Sequence, residues 1–298
     1  MFTLPEWLRT WWQFFGSDAE LYVRSVRLGD QVLGVAPLQI RGRVASIIGS
    51  INVCDYQDFI WKPGAEEEFC SSILQDLASR GVERLELDPV RPDSQIVSSL
   101  IPLARSKGYA TSSAFSDISM DMELPATFED YLEGLEGKQR HEIRRKMRNI
   151  GSIGDIRYVV YAGRDEIAKA INTFLQLFPE YRRDKAEFLT SHMQEYFRGL
   201  AANLADSGPL AIGSLESGDR TLAMIMYFDY NNNIYLYNSA YDPDFKNMSV
   251  GIISKVFCVR DSIEKGHKRF DFLKGNEQYK YYLGGSEIPL SKWVIKLA

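Results

Sequence analysis

Short apolar runs separated by polar turns recur along the chain, and their spacing predicts strands and helices in a defined order. In the N-terminal part the pattern predicts three strands, a helix and a fourth strand, over residues 21–26, 32–38, 44–48, 65–80 and 82–87. Gly29 and Asp30 separate the first two strands, as in a hairpin turn. Gly81 follows the helix, at a position where glycine is favoured. This part is therefore predicted to be an antiparallel meander that continues into a helix and one more strand.

The same order of elements returns near the C-terminus and predicts an internal duplication. Strands, a helix and a last strand are predicted over residues 210–215, 221–228, 234–239, 248–265 and 267–272. The seven residues that begin at Gly81 and at Gly266 match in type at most positions, so Glu86 is expected to correspond to Asp271. Unrelated α/β segments would also repeat strand–helix–strand, but without this match. We predict an α/β (α+β) protein with two tandem domains, 1–124 and 125–298, each a mixed, mostly antiparallel sheet flanked by helices.

A helical stretch separates the two repeats and is assigned to the second domain as a basic insertion, residues 127–206. Thr127 is the predicted N-cap of its first helix. Gly134 and Gly137 are expected to divide the stretch that follows into two helices. Two more helices are predicted over 165–178 and 185–205, the former with Asp165 as its N-cap.

Composition narrows the classes of function. The 298 residues include 35 Lys and Arg against 40 Asp and Glu, a net charge of −5, so we expect no DNA partner. Three widely separated cysteines fit neither a disulfide framework nor a zinc site, and no metal is expected. No apolar stretch is long enough to span a membrane, and the first residues lack the features of a signal peptide. We expect a cytoplasmic protein.

The segment between the strand at 234–239 and the following helix is a candidate anion site. Backbone N–H groups at a helix N-terminus and the helix dipole favour phosphate. Small side chains at Ser249 and Gly251 would allow a pyrophosphate to approach, and Lys246 adds positive charge. The same residues also fit an ordinary helix start with Asn247 or Ser249 as cap. Spacing alone leaves both interpretations open.

A carboxylate, a phenol and an ammonium follow the last predicted strand. Side chains of these types act in enzymes as general bases, proton donors and contacts to a developing oxyanion. Asp271, Tyr279 and Lys280 are therefore candidate catalytic residues. The alternative is a strand-end turn at Asp271 beside a surface lysine.

Two further groups are candidates for acceptor binding. The helix after Gly137 is rich in Lys and Arg, and Arg140, Arg144 and Arg148 recur on one side of it. Such a row suits a phosphate or an acidic glycan, whereas a purely solvated face is the alternative. Asp58 ends a polar insertion after the third strand, which is either a turn or an acceptor contact.

These motifs resemble those of a known superfamily. The sequence Lys246-x-x-Ser249-x-Gly251 is similar to a degenerate form of the pyrophosphate loop of the GCN5-related N-acetyltransferases (GNAT). The segments Tyr237 to Gly251 and Phe270 to Lys280 resemble a branch near the FemAB peptidyltransferases, with members linked to cellulose and exopolysaccharide biosynthesis. This branch usually has Pro-Gly near Val250. The resemblance implies tandem acetyltransferase-like halves and a coenzyme A site formed by Ser239, Ala240, Lys246, Asn247, Met248, Ser249, Val250 and Gly251.

The resemblance implies an acyltransferase that uses acyl-CoA, such as acetyl-CoA, as co-substrate. Acyl transfer to an amine needs a base, oxyanion donors and an acid for the leaving thiolate. The resemblance implies Asp271 as base, Tyr279 as thiolate donor and Lys280 as oxyanion or acceptor contact, converging on one pocket with Tyr241. The acceptor would be an amine or hydroxyl of a cell-surface polysaccharide or cell-wall precursor, bound in the cleft between the halves. One alternative is a FemAB-like transferase that uses aminoacyl-tRNA, which the acidic charge and the lack of a coiled-coil arm disfavour. Another alternative is a non-catalytic subunit of a polysaccharide assembly.

Overall fold

The structure is a computed structural model that describes residues 1–50, 52–178, 188–206 and 208–298. The chain divides into two compact units: Met1–Ser119 with Ile288–Ala298, and Met120–Glu287. The sequence placed the division after residue 124 and the whole C-terminal part in the second domain; the structure instead assigns the last 11 residues to the first unit. None of the helices described is long and apolar enough to cross a membrane.

The first unit is a sheet with helices packed against it. Its elements are α1 (Pro5–Phe15), β1 (Glu20–Leu28), β2 (Gln31–Arg41), β3 (Val44–Ile47), β4 (Ile60–Trp61), α2 (Glu66–Ser79), β5 (Arg84–Val90), a π-helical turn (Ile96–Leu100), α3 (Ile101–Ser106), β6 (Thr111–Glu123) and the C-terminal β12 (Ser286–Lys296). The strand order is β1-β2-β3-β5-β12-β6, with β4 beside β2. Phe69, Leu74 and Leu77 of α2 are buried in one core with Leu85 and Ile295. The C-terminal strand thus lies inside the sheet of the first unit.

The second unit has a similar sheet and more helices. Its elements are α4 (Phe128–Gly134), α5 (Gly137–Ile150), a 3₁₀ turn (Gly151–Ile153), β7 (Ile156–Ala162), α6 (Arg164–Leu177), α7 (Ser191–Ala205), β8 (Leu210–Ser217), β9 (Arg220–Tyr230), β10 (Asn233–Tyr241), a 3₁₀ helix (Pro243–Met248), α8 (Val250–Glu264), β11 (Arg269–Lys274) and α9 (Gln278–Tyr282). The strand order is β6-β11-β10-β9-β8-β7. The last four residues of β6 count with this unit.

The predicted duplication is confirmed in strand order, direction and register. In the first unit β1 pairs antiparallel with β2 and β2 with β3, and β3 pairs parallel with β5. In the second unit β8, β9 and β10 do the same, and β10 pairs parallel with β11. Each parallel ladder has three pairs, the third of which contains Glu86 in one unit and Asp271 in the other. Gly81 and Gly266 have nearly the same left-handed φ, 78° and 79°.

The predictions for the helical stretch are confirmed in part. The Thr127 side chain accepts a hydrogen bond from the Asp130 N–H and caps α4, and Gly134 and Gly137 stand at the end of α4 and the start of α5. Asp165 is not the N-cap of α6: this helix begins at Arg164 after Gly163, and Asp165 lies in its first turn. Residues 185–187, where the next helix was predicted to begin, lie outside the described residues; α7 begins at Ser191.

Candidate active site

The parallel strands of the second unit separate halfway along their length. Their ladder ends at Tyr235 and Asp271, although β10 runs on to Tyr241 and β11 to Lys274. The register between β10 and β9 also shifts between Leu236 and Asn238, which marks a bulge. A bulge bends its strand and increases the local twist. The two strands therefore open into a wedge, and Ser239, Ala240 and Tyr241 lie on the β10 side of it.

The loop after β10 leads into a helix whose first turn has no side-chain cap. The Asp242 side chain caps the 3₁₀ helix by accepting from the Asp244 N–H, and Arg220 forms ion pairs with both aspartates. α8 then begins at Val250, two residues later than the sequence indicated, and no side chain of a described residue caps it. Ser249 occupies the N-cap position with φ 58° and ψ 31°. An ordinary capped helix start, the alternative drawn from the sequence, does not describe this end of α8.

Close packing explains why glycine stands at position 251. A Cβ atom there would lie 2.8 Å from Cδ1 of the Tyr241 ring, closer than carbon atoms can approach. Val250 is completely buried in a core cluster, against which Met248 packs, so only the backbone of Val250 can face a ligand. Lys246 and Asn247 are exposed. The predicted donor loop thus offers backbone amides, one glycine and one solvent-exposed lysine.

Lys280 is a buried structural cation in this arrangement. Its side chain is 1 % exposed, and Nζ donates to three carbonyl oxygens: those of Leu273 at 3.0 Å, Lys274 at 2.6 Å and Gly275 at 3.1 Å. The Glu277 carboxylate adds an ion pair at 2.9 Å. Three acceptors use all three N–H donors of an ammonium. The contacts therefore do not support an oxyanion or acceptor contact at Lys280; they show a lysine that holds the end of β11 in place.

Asp271 has a related structural task. It is 2 % exposed, and its Oδ1 accepts from the Leu273 N–H at 2.7 Å. Leu273 has φ 61°, a conformation that is unfavourable for an L-residue, and this hydrogen bond supports it. The strand-end turn considered from the sequence is thus present, but the lysine beside it is buried, not on the surface. Asp271 and Lys280 together stabilise an irregular turn between β11 and α9.

Tyr279 contacts a second buried lysine that the sequence analysis missed. The Tyr279 ring packs edge-on against Phe272, and Nζ of Lys255 lies 4.8 Å from its centroid. Lys255 is 5 % exposed and donates to the Gly251 carbonyl at 2.8 Å. Burial lowers the pKa of Lys255 to about 8. Lys255 therefore connects Gly251 at the start of α8 with Tyr279 of α9, whereas the pocket expected to unite Asp271, Tyr279 and Lys280 with Tyr241 stays a prediction.

A sequence signal for Lys255 exists. The buried residues of α8 cover a wide face of the helix, while Arg260 and Glu264 are exposed on the other. The buried residues are Val250, Ile253, Ser254, Lys255, Val256, Cys258, Val259, Ser262 and Ile263. A wide apolar face of a helix packs against the core. A lysine in its middle is then buried too, and a buried lysine requires partners.

The three arginines of the basic helix do not form a uniform row. Arg140 donates to the Glu133 carbonyl at 3.1 Å, and Arg144 forms an ion pair with Glu129, so both bind α4. Arg148 is exposed and makes no ion pair with any residue that the structure describes. Arg140 and Arg144 thus join α5 to α4, and only Arg148 keeps its guanidinium available to a ligand.

Asp58 is a helix-capping residue of the first unit. Its carboxylate accepts from the backbone N–H groups of Phe59 at 2.9 Å and Gln95 at 3.2 Å, at the start of the π-helical turn. Burial raises its pKa. The turn considered from the sequence is the interpretation that these contacts support, and the acceptor contact is not.

The strained N-cap of α8 makes a testable prediction. A left-handed backbone conformation costs a non-glycine residue about 1–2 kcal/mol. Glycine avoids this cost, but its larger conformational entropy in the unfolded state lowers stability by about 0.4–1 kcal/mol. We expect Ser249→Gly to raise the free energy of unfolding by about 0.5–1 kcal/mol in urea denaturation. Ser249→Ala, which keeps the Cβ, should give no gain. Equal stability of the two variants would contradict the strain.

Comparisons with known proteins identify the domain. Residues 137–281 match the family model described as acetyltransferase (GNAT) domain. No curated protein matches the chain. A crystal structure of FemX has 12% identity and a TM-score of 0.69, with 98% of this chain and 91% of that chain covered. The C-terminal domain of a putative lysylphosphatidylglycerol synthetase from Agrobacterium fabrum has 10% identity and a TM-score of 0.62, covering 93% and 83%. A tandem GNAT protein from the clavulanic acid biosynthesis pathway has 12% identity and a TM-score of 0.51, covering 96% and 86%.

The fold and the family match define an acyltransferase-like α/β protein. Residues 137–281 match a GNAT domain, as the loop and strand motifs in this segment indicated. The likeness to FemX and to a tandem GNAT protein shows that the chain shares their fold. The expected mixed, mostly antiparallel sheets with flanking helices are also confirmed.

Proposed function

We propose that this protein transfers an acyl group from acyl-CoA to an amine or hydroxyl of a cell-surface polysaccharide or cell-wall precursor. The observation that carries the proposal is the uncapped start of α8 beside the wedge between β10 and β11. Helix N-terminal amides and the helix dipole stabilise phosphate groups. A thioester extending from that phosphate along β10 would reach the wedge.

The first turn of α8 suits a pyrophosphate in both shape and charge. Gly251 presents no side chain, and no acidic residue lies in the first turn of the helix. Lys246 adds a positive charge in the preceding 3₁₀ helix. The loop residues predicted from the sequence keep this role in the proposal, mostly through their backbone, with Ser239 and Ala240 on the adjoining strand.

The corresponding helix of the first unit has the opposite character. The duplication makes α2 the counterpart of α8, and its first turn contains Glu66, Glu67 and Glu68. The Glu66 side chain also accepts from the Gly64 N–H. Three carboxylates at this point would repel a phosphate. The proposal therefore assigns one donor site to the chain, in the second unit.

The proposed chemical roles follow from the contacts. Tyr279, half-buried between Phe272 and Lys255, is the candidate proton donor to the leaving thiolate. Asp271 and Lys280 are positioning residues, because they hold the turn that carries Tyr279. Tyr241 and Arg148 are the candidates for contact with the acceptor.

Ser249→Asp tests the donor site. The new carboxylate would stand at the N-cap, where we propose the pyrophosphate binds, so acyl-CoA affinity should fall about tenfold or more by calorimetry. The fold should be retained, since aspartate is a favoured N-cap residue. Ala168→Glu, on an exposed position of α6 in the same unit, is the matched control for an added negative charge. Unchanged affinity in Ser249→Asp would contradict the loop assignment.

Thiol release from a panel of acyl-CoAs, with amine and hydroxyl acceptors, tests the reaction itself. Release that Ser249→Asp suppresses and Ala168→Glu does not would support acyl-CoA as donor. Binding of charged tRNA that weakens steeply with salt, without thiol release, would favour an aminoacyl-tRNA donor instead. If neither thiol release nor binding of charged tRNA is observed, the non-catalytic subunit is the remaining function.

A further inference from the structure

Lys255 is a buried cation with fewer hydrogen-bond partners than donors. Its side chain is 5 % exposed, and its single hydrogen bond to a described residue runs to the Gly251 carbonyl. A second N–H of Lys255 can point to the face of the Tyr279 ring, whose centroid lies 4.8 Å from Nζ. An ammonium has three donors, so one remains without a partner among the described residues. In contrast, Lys280 in the same unit donates hydrogen bonds to three carbonyls and forms an ion pair with a carboxylate, so all of its donors have partners.

The position of Lys255 makes this missing partner informative. Side chains of a helix lean toward its N-terminus, and Lys255 reaches back over one turn to the carbonyl of Gly251, the second residue of α8. Its ammonium thus lies beside the first turn of the helix, where the dipole is positive. A buried cation at this end is unfavourable until an anion binds.

The charged groups around Lys255 leave a positive excess. Glu277 stabilises its charge, Lys280 opposes it, and Cys258 lies on the same helix. Glu277 is already in an ion pair with Lys280, at 2.9 Å. The remaining neighbour, Tyr279, is contacted through its ring. Among the residues that the structure describes, two ammonium groups and a helix N-terminus therefore share one carboxylate.

We propose that Lys255 donates its third N–H to a phosphate oxygen of the ligand that binds at the start of α8. This assignment rests on the proposed function, and it adds a buried basic side chain to a site that otherwise consists of backbone amides and the exposed Lys246. A phosphate is favoured over a neutral carbonyl because it offsets both the ammonium and the helix dipole. The phosphate belongs to the donor, acyl-CoA; a phosphorylated acceptor is the other source of the same chemistry.

Calorimetry with coenzyme A and with pantetheine, which lacks the phosphates, separates the possibilities. Lys255→Met should weaken coenzyme A binding about ten- to hundredfold, the range for losing a charged hydrogen bond, and leave pantetheine affinity within about twofold. Lys265→Met removes a charge from the exposed end of the same helix, where Lys265 pairs with Asp261, and should change neither. Inorganic pyrophosphate should compete with coenzyme A in the wild type and more weakly in Lys255→Met.

Proton uptake gives a second readout that does not depend on affinity. Lys255 in the free protein has its pKa lowered to about 8, and a bound phosphate would raise the pKa again. Binding of coenzyme A at pH 8 should therefore take up about half a proton, measured by calorimetry in buffers of different ionisation enthalpy. The uptake should vanish in Lys255→Met, a variant expected to fold because it removes a buried charge.

The outcomes are distinct. If the wild type binds coenzyme A and Lys255→Met binds it with the same affinity and the same proton uptake, the role of Lys255 is overturned and the proposed function stays intact. A loss that affects only a phosphorylated acceptor would overturn the assignment to the donor. Absence of coenzyme A binding by the wild type would overturn the proposed function and this inference with it.

Discussion

Removal of residues 286–298 is expected to prevent the first unit from folding. These residues form β12, which lies between β5 and β6 in the sheet of that unit. Ile295 pairs with Leu85 of β5, and both are fully buried. Deletion would leave two unpaired strand edges inside a sheet and remove buried side chains worth about 2–5 kcal/mol each. Together these losses exceed or approach the total stability of a typical domain, about 5–15 kcal/mol.

Hydrogen exchange checks this expectation. Amides of β5 and α2 should lose their protection in the truncated chain, and a synthetic peptide of residues 286–298 should restore part of it. Lys296→Gln, at an exposed position of the same strand, is the control and should behave as wild type. Protected β5 amides in the truncated chain would show that the first unit is complete without β12.

Lys280→Met is expected to lower the free energy of unfolding by about 3–5 kcal/mol. The substitution leaves the carbonyls of Leu273, Lys274 and Gly275 without their common donor, and the Glu277 carboxylate without its cation. Removing one partner from a buried charged network leaves the others desolvated and unpaired, and this is the source of the large cost. Lys274→Met keeps the Lys274 carbonyl and is the matched control.

The two roles considered for Lys280 differ in what they affect. A positioning residue changes stability and activity together, so Lys280→Met should lose activity in proportion to the disorder of the β11–α9 turn. A catalytic lysine would instead lower kcat/KM by about 10²–10³ at unchanged stability, the range for losing one oxyanion donor. Urea denaturation of both variants beside their kinetics decides between the roles. An unchanged free energy of unfolding in Lys280→Met would contradict the structural role.

The repeated unit could be predicted because local signals agree with the final structure. Gly29 and Gly218 both adopt φ near 58°, as the hairpin turns require, and Gly81 and Gly266 end their helices in the left-handed region. These positions depend on a few neighbouring residues. The N-cap of α6 failed as a prediction because Arg164 already begins the helix and the Glu166 side chain bonds back to the Ala162 N–H.

The placement of β12 could not be predicted, because no local signal specifies a partner that is about 200 residues distant. The same limit applies to the candidate site. Lys280 and Asp58 looked available in the sequence, since their acceptors and donors are backbone groups, which every residue has. Arg144 looked like part of a ligand-binding row, but Glu129 on the preceding helix neutralises it. Lys255 was missed because its importance depends on burial, a property of the assembled unit.

The position of β12 has a consequence for protein synthesis. β5 leaves the ribosome with Val90, whereas the strand that covers it begins only at Ser286. At about 5–20 residues per second, roughly 10–40 s of translation separate the two. During this interval the nascent sheet has an open edge next to β5, which can pair with other chains. The length of the second unit therefore sets how long each newly made chain is exposed to aggregation and depends on chaperones.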